Sequence, residues 1–299
     1  MKHLIVFLLL IFSTGAYASS KSIYIVLSSE DAIYYKIGSQ LKEHISNSSF
    51  PTEQISIITL DDKRFNTIKP NDLIVPIGSK AVEASYQYQS SNTIIYSFVE
   101  QELIDKINLN KQSGAWAAVT VNQPVRRLIS IADSLVKSNY KNKIVILVSR
   151  NNTQLKHNID AFGSLKKGQI EIVEIGPDDI VPKVVDKSLF NAAVLITTDE
   201  EKIWSGSNAK WLLRQAYNYQ VPVVGNSKRF LKAGALISVY SSMEQISETT
   251  SLLVKQWLAD GMLTSTGIQD VPGTIDINSN IAQVLHYNKN VLQTLEVDE

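Results

Sequence analysis

Residues 191–239, NAAVLITTDEEKIWSGSNAKWLLRQAYNYQVPVVGNSKRFLKAGALISV, alternate short apolar runs with polar loops and stretches of helical spacing. The run 192–196 is too short for a free-standing helix and stops at Thr197, Thr198 and Asp199. The run 221–224 stops as abruptly at Gly225 and Asn226. Both read as buried strands that end in small polar residues. Between them Trp204, Trp211, Leu212, Gln215, Ala216 and Tyr219 recur at helical spacing. A helix therefore joins the two strands, which makes them parallel neighbours with a right-handed crossover. In open sheets of this kind ligands sit beyond the carboxyl ends of the strands, which predicts a rim carrying Thr198, Asp199 and Asn226.

The same unit extends in both directions. Towards the amino terminus, residues 22–27 form a strand ending at Ser28 and Ser29, followed by a helix with Ile33, Ile37, Leu41 and Ile45 on one stripe. Further strands are expected at 55–60, 72–77 (before Gly78 and Ser79), 93–96 (before Ser97) and 115–121. Pro124 then opens a helix, and a second series begins with a strand at 143–148 that ends in Ser149, Arg150 and Asn151. Helices are expected over 153–165 and 177–187, with a strand over 170–175 between them. A long helix after residue 240 is expected to bury Met243, Ile246, Leu252, Leu253 and Trp257. A closing helix is expected to bury Ile281, Val284, Leu285 and Leu292.

Strands alternating with helices at this pitch predict an α/β chain, two doubly wound parallel-sheet lobes. Residues 1–18 read as a secretory signal peptide: Lys2, an apolar core over 4–12, and the small-x-small site Ala16-Tyr17-Ala18. No later run approaches the roughly 18 apolar residues of a membrane span. The remaining chain exceeds the usual single-core size. Lobe I is expected over 19–121 plus about 236–262, and lobe II over 122–235 plus about 263–299.

Much chemistry is excluded. The chain has no cysteine, so there are no disulfides, thiolate nucleophiles or thiolate metal sites, and no residue for lipid attachment. Lys and Arg number 29 and so do Asp and Glu, without a basic cluster, which argues against nucleic acid as a partner. His44, His157 and His286 stand far apart in sequence, and no metal or phosphate-cradling motif is present, so neither cofactor nor metal is expected. The pairs Asp61-Asp62 and Asp178-Asp179 precede helical turns and are expected to cap them. What remains is the set of strand-end loops. Their hydroxyls, amides and helix N-termini can hydrogen-bond a small polar or anionic molecule; alternatively, each simply caps its own helix.

The carboxyl-terminal half, with NAAVLITTDEE, PVVGNSKRFLKAGALISV and TIDINSNIAQVL, resembles the substrate-binding proteins of ABC transporters of the TrpX type. IVPIGSKAVEA in the amino-terminal half is similar to that family's strand, Gly-Ser/Thr and helix element. Two departures fall in the first lobe: Ala117-Ala118-Val119-Thr120 stands where the family carries a Thr-Gly pair, and Ser97-Phe98-Val99-Glu100 where Asp-Pro is common. The resemblance implies a type I periplasmic-binding-protein fold, with two lobes joined by a multi-strand hinge near 121–124, 236–240 and 262–268. It also implies ligand contacts from Ser28, Ser29, Gly78, Ser79 and Ser97 in one lobe, and from Ser149, Arg150, Asn151, Thr198, Asp199 and Asn226 in the other.

The expected function is that of a non-enzymatic, monomeric periplasmic protein. It captures a small carboxylate-bearing or amino-acid-like ligand for an inner-membrane ABC permease, with Arg150 and the loop amides on the carboxylate and Tyr34, Phe98 or Trp204 on the apolar part. The rival partner is a membrane kinase or cyclase for which the chain senses the ligand. A secreted hydrolase would need a histidine in the cleft, and a lobe pair binding only protein would need no cleft chemistry at all.

Overall fold

The computed structural model describes residues 22–46, 54–107, 114–137, 141–162, 168–292 and 295, so the signal peptide expected over 1–18 lies outside the described residues. Twelve strands form two six-stranded sheets among those residues. The first holds β1 (Ile23–Leu27), β2 (Ile55–Thr59), β3 (Leu73–Ile77), β4 (Thr93–Val99), β5 (Trp116–Thr120) and β11 (Gly267–Gln269), in the order β11-β5-β4-β3-β1-β2. The second holds β6 (Lys143–Ser149), β7 (Gln169–Ile175), β8 (Ala192–Ile196), β9 (Val223–Gly225), β10 (Ile237–Tyr240) and β12 (Thr274–Ile277), in the order β12-β10-β9-β8-β6-β7. Every pairing is parallel except that of β12, which runs antiparallel to β10.

The sequence builds these sheets by burying both strand faces. In β6, Ile144, Ile146 and Val148 face one apolar core while Val145 and Leu147 face another. In β1, Ile25 and Leu27 join one core while Val26 joins the opposite one. Side chains alternate with period two, so a continuous apolar run supplies two layers at once. In lobe I, helices α1 (Ala32–Ser46) and α10 (Met243–Asp260) pack together on one side, with α2 (Ser79–Ser85) and α3 (Gln101–Ile107) on the other. In lobe II, α4 (Val125–Leu135) and α11 (Ser279–Val284) cover one face. The other is covered by α6 (Val181–Phe190) and α8 (Gly206–Asn218). The remaining helices of this lobe are α5 (Thr153–Asp160), α7 (Glu201–Trp204), α9 (Lys228–Ala233) and α12 (Lys289–Leu292).

Among the described residues three crossings join the lobes. One follows β5 at residues 121–124, as expected. The other two differ from the sequence expectation. The segment 236–240 is not a crossing, because β10 lies inside the second sheet between β9 and β12, and the chain crosses at 241–242, just before the capping box formed by Ser242 and Gln245. The segment 262–268 does not cross either. β11 pairs with β5 in the first sheet, so the crossing falls at 270–273. A three-residue strand of sequence GIQ is too short and too polar to show a period-two pattern, and so could not be seen in advance.

The crossings are laced together. Gln123 Nε2 donates to Ser241 Oγ at 2.5 Å, and Ser241 Oγ donates to the Pro272 carbonyl at 3.1 Å. Buried Arg127 donates through Nη1 to Gln123 Oε1 at 3.0 Å and to the Val271 carbonyl at 2.5 Å. Each crossing thus holds the next.

Two helical expectations fail locally. Leu252 is 64% exposed while Leu253 is buried; adjacent residues diverge by about 100° around a helix, so both cannot face the sheet. The closing segment breaks into α11 and α12, which leaves Val284 exposed.

Candidate ligand-binding cleft

Each sheet reverses its winding once, between β1 and β3 in lobe I and between β6 and β8 in lobe II. Strand carboxyl ends at such a reversal leave a crevice. A cavity of about 930 Å³ lies between the lobes. Its lobe II wall comprises the loops after β6, β8 and β9: Ser149, Asn151 and Asn152, residues 197–200, and Asn226. The first crossing with the start of α4 (122–126), and the end of β11 with the crossing after it (268–271), complete the lining. Helix α3 supplies the lobe I wall through Gln101, Glu102, Asp105 and Lys106.

Hydrogen bonds hold the lobe II wall in place. Thr197 Oγ1 donates to Asn226 Oδ1 at 2.7 Å and accepts from the Asn226 backbone N–H at 2.9 Å. Asn226 Nδ2 donates to Asp199 Oδ1 at 2.5 Å. Thr198 Oγ1 donates to the Leu147 carbonyl at 3.2 Å. Glu200 Oε1 accepts from the Ser149 N–H and from Asn152 Nδ2, both at 3.0 Å, so it ties two loops together.

Asp199 is the electrostatic centre. Its carboxyl reaches solvent inside the cavity, yet protein encloses most of its surroundings. Burial, reinforced by the negative charges of Glu100 and Glu200, raises its pKa to about 6 against the opposing pull of a hydrogen bond to Asn122 and the charge of Arg229. Asn122 also accepts from the Gln101 N–H at 2.7 Å, so one side chain on the first crossing touches both lobes. Across the cavity, Asp105 is likewise shifted upward, chiefly by burial and further by Glu102. Two carboxyls disfavoured in their charged forms therefore look into one space from opposite lobes.

The structure distributes the expected site residues unevenly. Ser149, Asn151, Thr198, Asp199 and Asn226 line the cavity. Arg150 does not: it points to the β6–β7 side, where Nη2 pairs with Asp179 at 3.3 Å and Nε lies 4.0 Å from Glu174. Because β6 ends at Ser149, the next residue turns outward. The lobe I residues do not line it either. Ser28 Oγ accepts from the Ala81 N–H at 2.9 Å and donates to the Ile77 carbonyl, so it caps α2. Ser29 Oγ donates to Asp31 at 2.7 Å. Ser79 starts α2, exposed and outside the lining, and Ser97 Oγ pairs with Thr250 Oγ1 at 2.7 Å, tying β4 to α10.

Gly78 has a structural task as well. Its φ of 83° and ψ of 169° belong to a region open essentially to glycine, and an added Cβ would stand 2.7 Å from a ring carbon of Tyr34 and 2.8 Å from Ser28 Oγ. Gly78→Ala is expected to lower stability by about 1–3 kcal/mol. Equal denaturation midpoints for variant and parent would refute this.

The expected aromatic contacts also move. Trp204 is 2% exposed and packs edge-on against Phe230 in the lobe II core, while Tyr34 and Phe98 pack on the core of lobe I. Phe162 is the aromatic side chain on the cavity wall among the described residues. Glu200 and the α3 wall are additions the loop-by-loop reading missed. The available signals were the acid adjoining Asp199, and Glu102 and Asp105 one turn apart just after the strand ending at Val99. None of His44, His157 and His286 lines the cavity, and no three His, Asp or Glu side chains cluster to hold a metal among the described residues. Nor is any helix long and apolar enough to cross a membrane among those residues.

No family model and no curated protein matches the chain. Solved structures do. A ligand-free, open substrate binding protein with adhesive properties from Clostridium difficile aligns over 90% of this chain and 96% of its own, with 16% identity and a TM-score of 0.65. An ABC domain from Streptococcus pneumonia in complex with L-Trp aligns over 92% and 98%, with 15% identity and a TM-score of 0.58. A conserved domain protein from Vibrio cholerae aligns over 91% and 97%, with 15% identity and a TM-score of 0.57. At these identities the likeness is one of fold.

Proposed function

We propose that this chain, which has the type I periplasmic-binding-protein fold, is a non-enzymatic solute-binding protein that captures a small amino-acid-like ligand between two closing lobes. The observation that carries this reading is the interlobe cavity at Asp199, where the loops after β6 and β8, the point at which the lobe II sheet reverses its winding, face α3 of lobe I. The protein is exported by the signal sequence at residues 1–18 and delivers its ligand to an ABC permease in the inner membrane.

The charge of the site selects which end of the ligand is recognised. Asp199 stands among Glu100 and Glu200, and Glu102 and Asp105 line the same cavity; of the lining cations Arg126 is paired with Asp270, which leaves the carboxylates in excess over Lys106, while Arg150 is engaged elsewhere. An ammonium group between the lobes removes the unfavourable charge on Asp199 and the repulsion from Glu100 of the other lobe. Such a ligand binds the closed arrangement more tightly than the open one, and that difference in affinity is what shifts the population. Asn226, Thr198 and Ser149 then supply neutral donors and acceptors for the ligand's carboxylate or other polar groups.

The test is mass spectrometry of small molecules released on denaturing the natively purified protein, followed by thermal-shift assays with amino acids and amines. A released amine-bearing solute that raises the melting temperature is expected. An empty protein that no member of a broad metabolite set stabilises would sink the proposal.

A further inference from the structure

The cavity does not stop at the strand-end loops. It continues along lobe II between α4 and α5, where Val125 and Leu128 of α4 lie across from Leu155 of α5 and Phe162 just beyond it. Leu155 and Asn158 fall on one face of α5, and Phe162 follows its end. Leu128, 2% exposed, forms the floor. Gln154, exposed, and Asn158, half-buried, are joined by one hydrogen bond, Gln154 Nε2 donating to Asn158 Oδ1 at 3.1 Å. The gallery therefore offers a solute mainly carbon surface, whereas the end at Asp199 and Asn226 offers charge and hydrogen bonds.

From Leu155 to the end of α5 at Asp160 the helix advances about 7.5 Å, and Phe162, two residues further on, carries the wall to about 10 Å. A volume near 930 Å³ lies at the upper end of the range for sites that enclose drug-sized ligands, and far exceeds what an ammonium group and its polar neighbours fill. Left to water, the apolar wall forfeits the favourable transfer that an apolar arm would supply.

We infer that the solute is amphipathic, with an amine head at the strand-end loops and an alkyl or aryl arm of about 10 Å lying in the gallery between α4 and α5. This rests on the solute-binding function proposed above and adds the class of ligand. The arm, not the head, sets most of the affinity.

The experiment is isothermal titration of the full mature chain at pH 7.5 with n-butylamine, n-hexylamine, n-octylamine and n-decylamine, each below its micellar concentration, and with n-octanoate as control. Affinity is expected to rise about fourfold per methylene until the arm reaches Phe162, then to level off, with octanoate binding far more weakly than octylamine. Ala161→Trp, at an exposed position at the end of α5, is expected to erase the dependence on chain length by filling the gallery. Leu155→Asn provides a second variant that makes the wall polar without filling it. Affinity that does not change from butylamine to decylamine overturns the arm and leaves solute binding standing. So does the recovery of a small, fully polar ligand from the native protein. Octanoate binding as tightly as octylamine overturns the amine head. Failure of every amine together with an empty native protein overturns both this inference and the function beneath it.

Discussion

Affinity for an amine-bearing ligand is expected to fall about tenfold between pH 7 and pH 5, because Asp199 takes up a proton in that interval. Its pKa in the folded, ligand-free protein is about 6. One unit below that value, nine carboxyls in ten are neutral, and each must lose its proton before it can pair with an ammonium group. The groups facing Asp199 set the window: Glu100 and Glu200 hold the pKa up, and Asn122 and Arg229 oppose them. Asn226 donates to the same carboxyl in either form. Asp199→Asn is expected to weaken binding by about 10–100-fold at pH 7, the usual range for a hydrogen bond to a charged group, and to flatten the pH profile. Titration calorimetry across pH 5–8 reads both effects. A profile for the parent protein that is flat from pH 5 to 8 would contradict the role of Asp199.

Stability of the ligand-free protein should move in the opposite direction. The folded pKa lies above the ordinary aspartate value of 3.8, so between about pH 4 and 6 the folded protein holds more protons than the unfolded chain. Stability contributed by this group is present below pH 4 and is lost as pH rises through 6. With allowance for the solvent contact of the carboxyl, the loss is about 1 kcal/mol. Asp199→Asn removes it, so the variant should melt higher than its parent at pH 7.5 and not at pH 4. The same substitution thus weakens the ligand complex and strengthens the empty protein, as expected of a charge held against its preference for the sake of binding.

Arg127→Met is expected to lower stability by about 2–4 kcal/mol, or roughly 5–10 °C in melting temperature for a chain of this size. Methionine keeps most of the buried stem but removes the guanidinium, leaving Gln123 Oε1 and the Val271 carbonyl without their donor. Those two acceptors belong to two of the three crossings, and Gln123 carries the link on to Ser241 of the third. Loss of Arg127 therefore loosens the whole joint rather than one contact. Arg127→Lys should restore little, because a compact ammonium on a shorter reach does not reproduce the guanidinium geometry. Calorimetry of the three proteins checks this, and an Arg127→Met midpoint within one degree of the parent would show that the crossings do not depend on the clasp.

The two-lobed α/β architecture was legible because its signal is local. A run such as IVILV at 144–148 buries both faces in any parallel sheet, whatever surrounds it, and its abrupt end in polar residues marks the strand's carboxyl end. Thr198, Asp199 and Asn226 followed from the same logic, since they stand directly after strands that flank a crossover. Asp62 behaved as its position suggested, accepting from the Arg64 N–H to cap a short helical turn.

Whether a strand-end hydroxyl faces a ligand or its own helix is not a local property. Ser28 and Ser149 look alike in sequence. One is consumed by capping α2, because its partner Ala81, 53 residues away, is brought beside it, while the other lines the cavity, its loop held through the Ser149 N–H by Glu200, 51 residues away. Arg150 was drawn outward by Glu174 and Asp179, which only the pairing of β6 with β7 brings near it. By itself, then, the sequence determined the elements, their winding and the rim of lobe II, since these depend on apolar period and strand ends. Tertiary structure alone decided the α3 wall, the true crossings, the elevated pKa of Asp199 and the gallery between α4 and α5. Each arises from groups distant in the chain sharing one low-dielectric space.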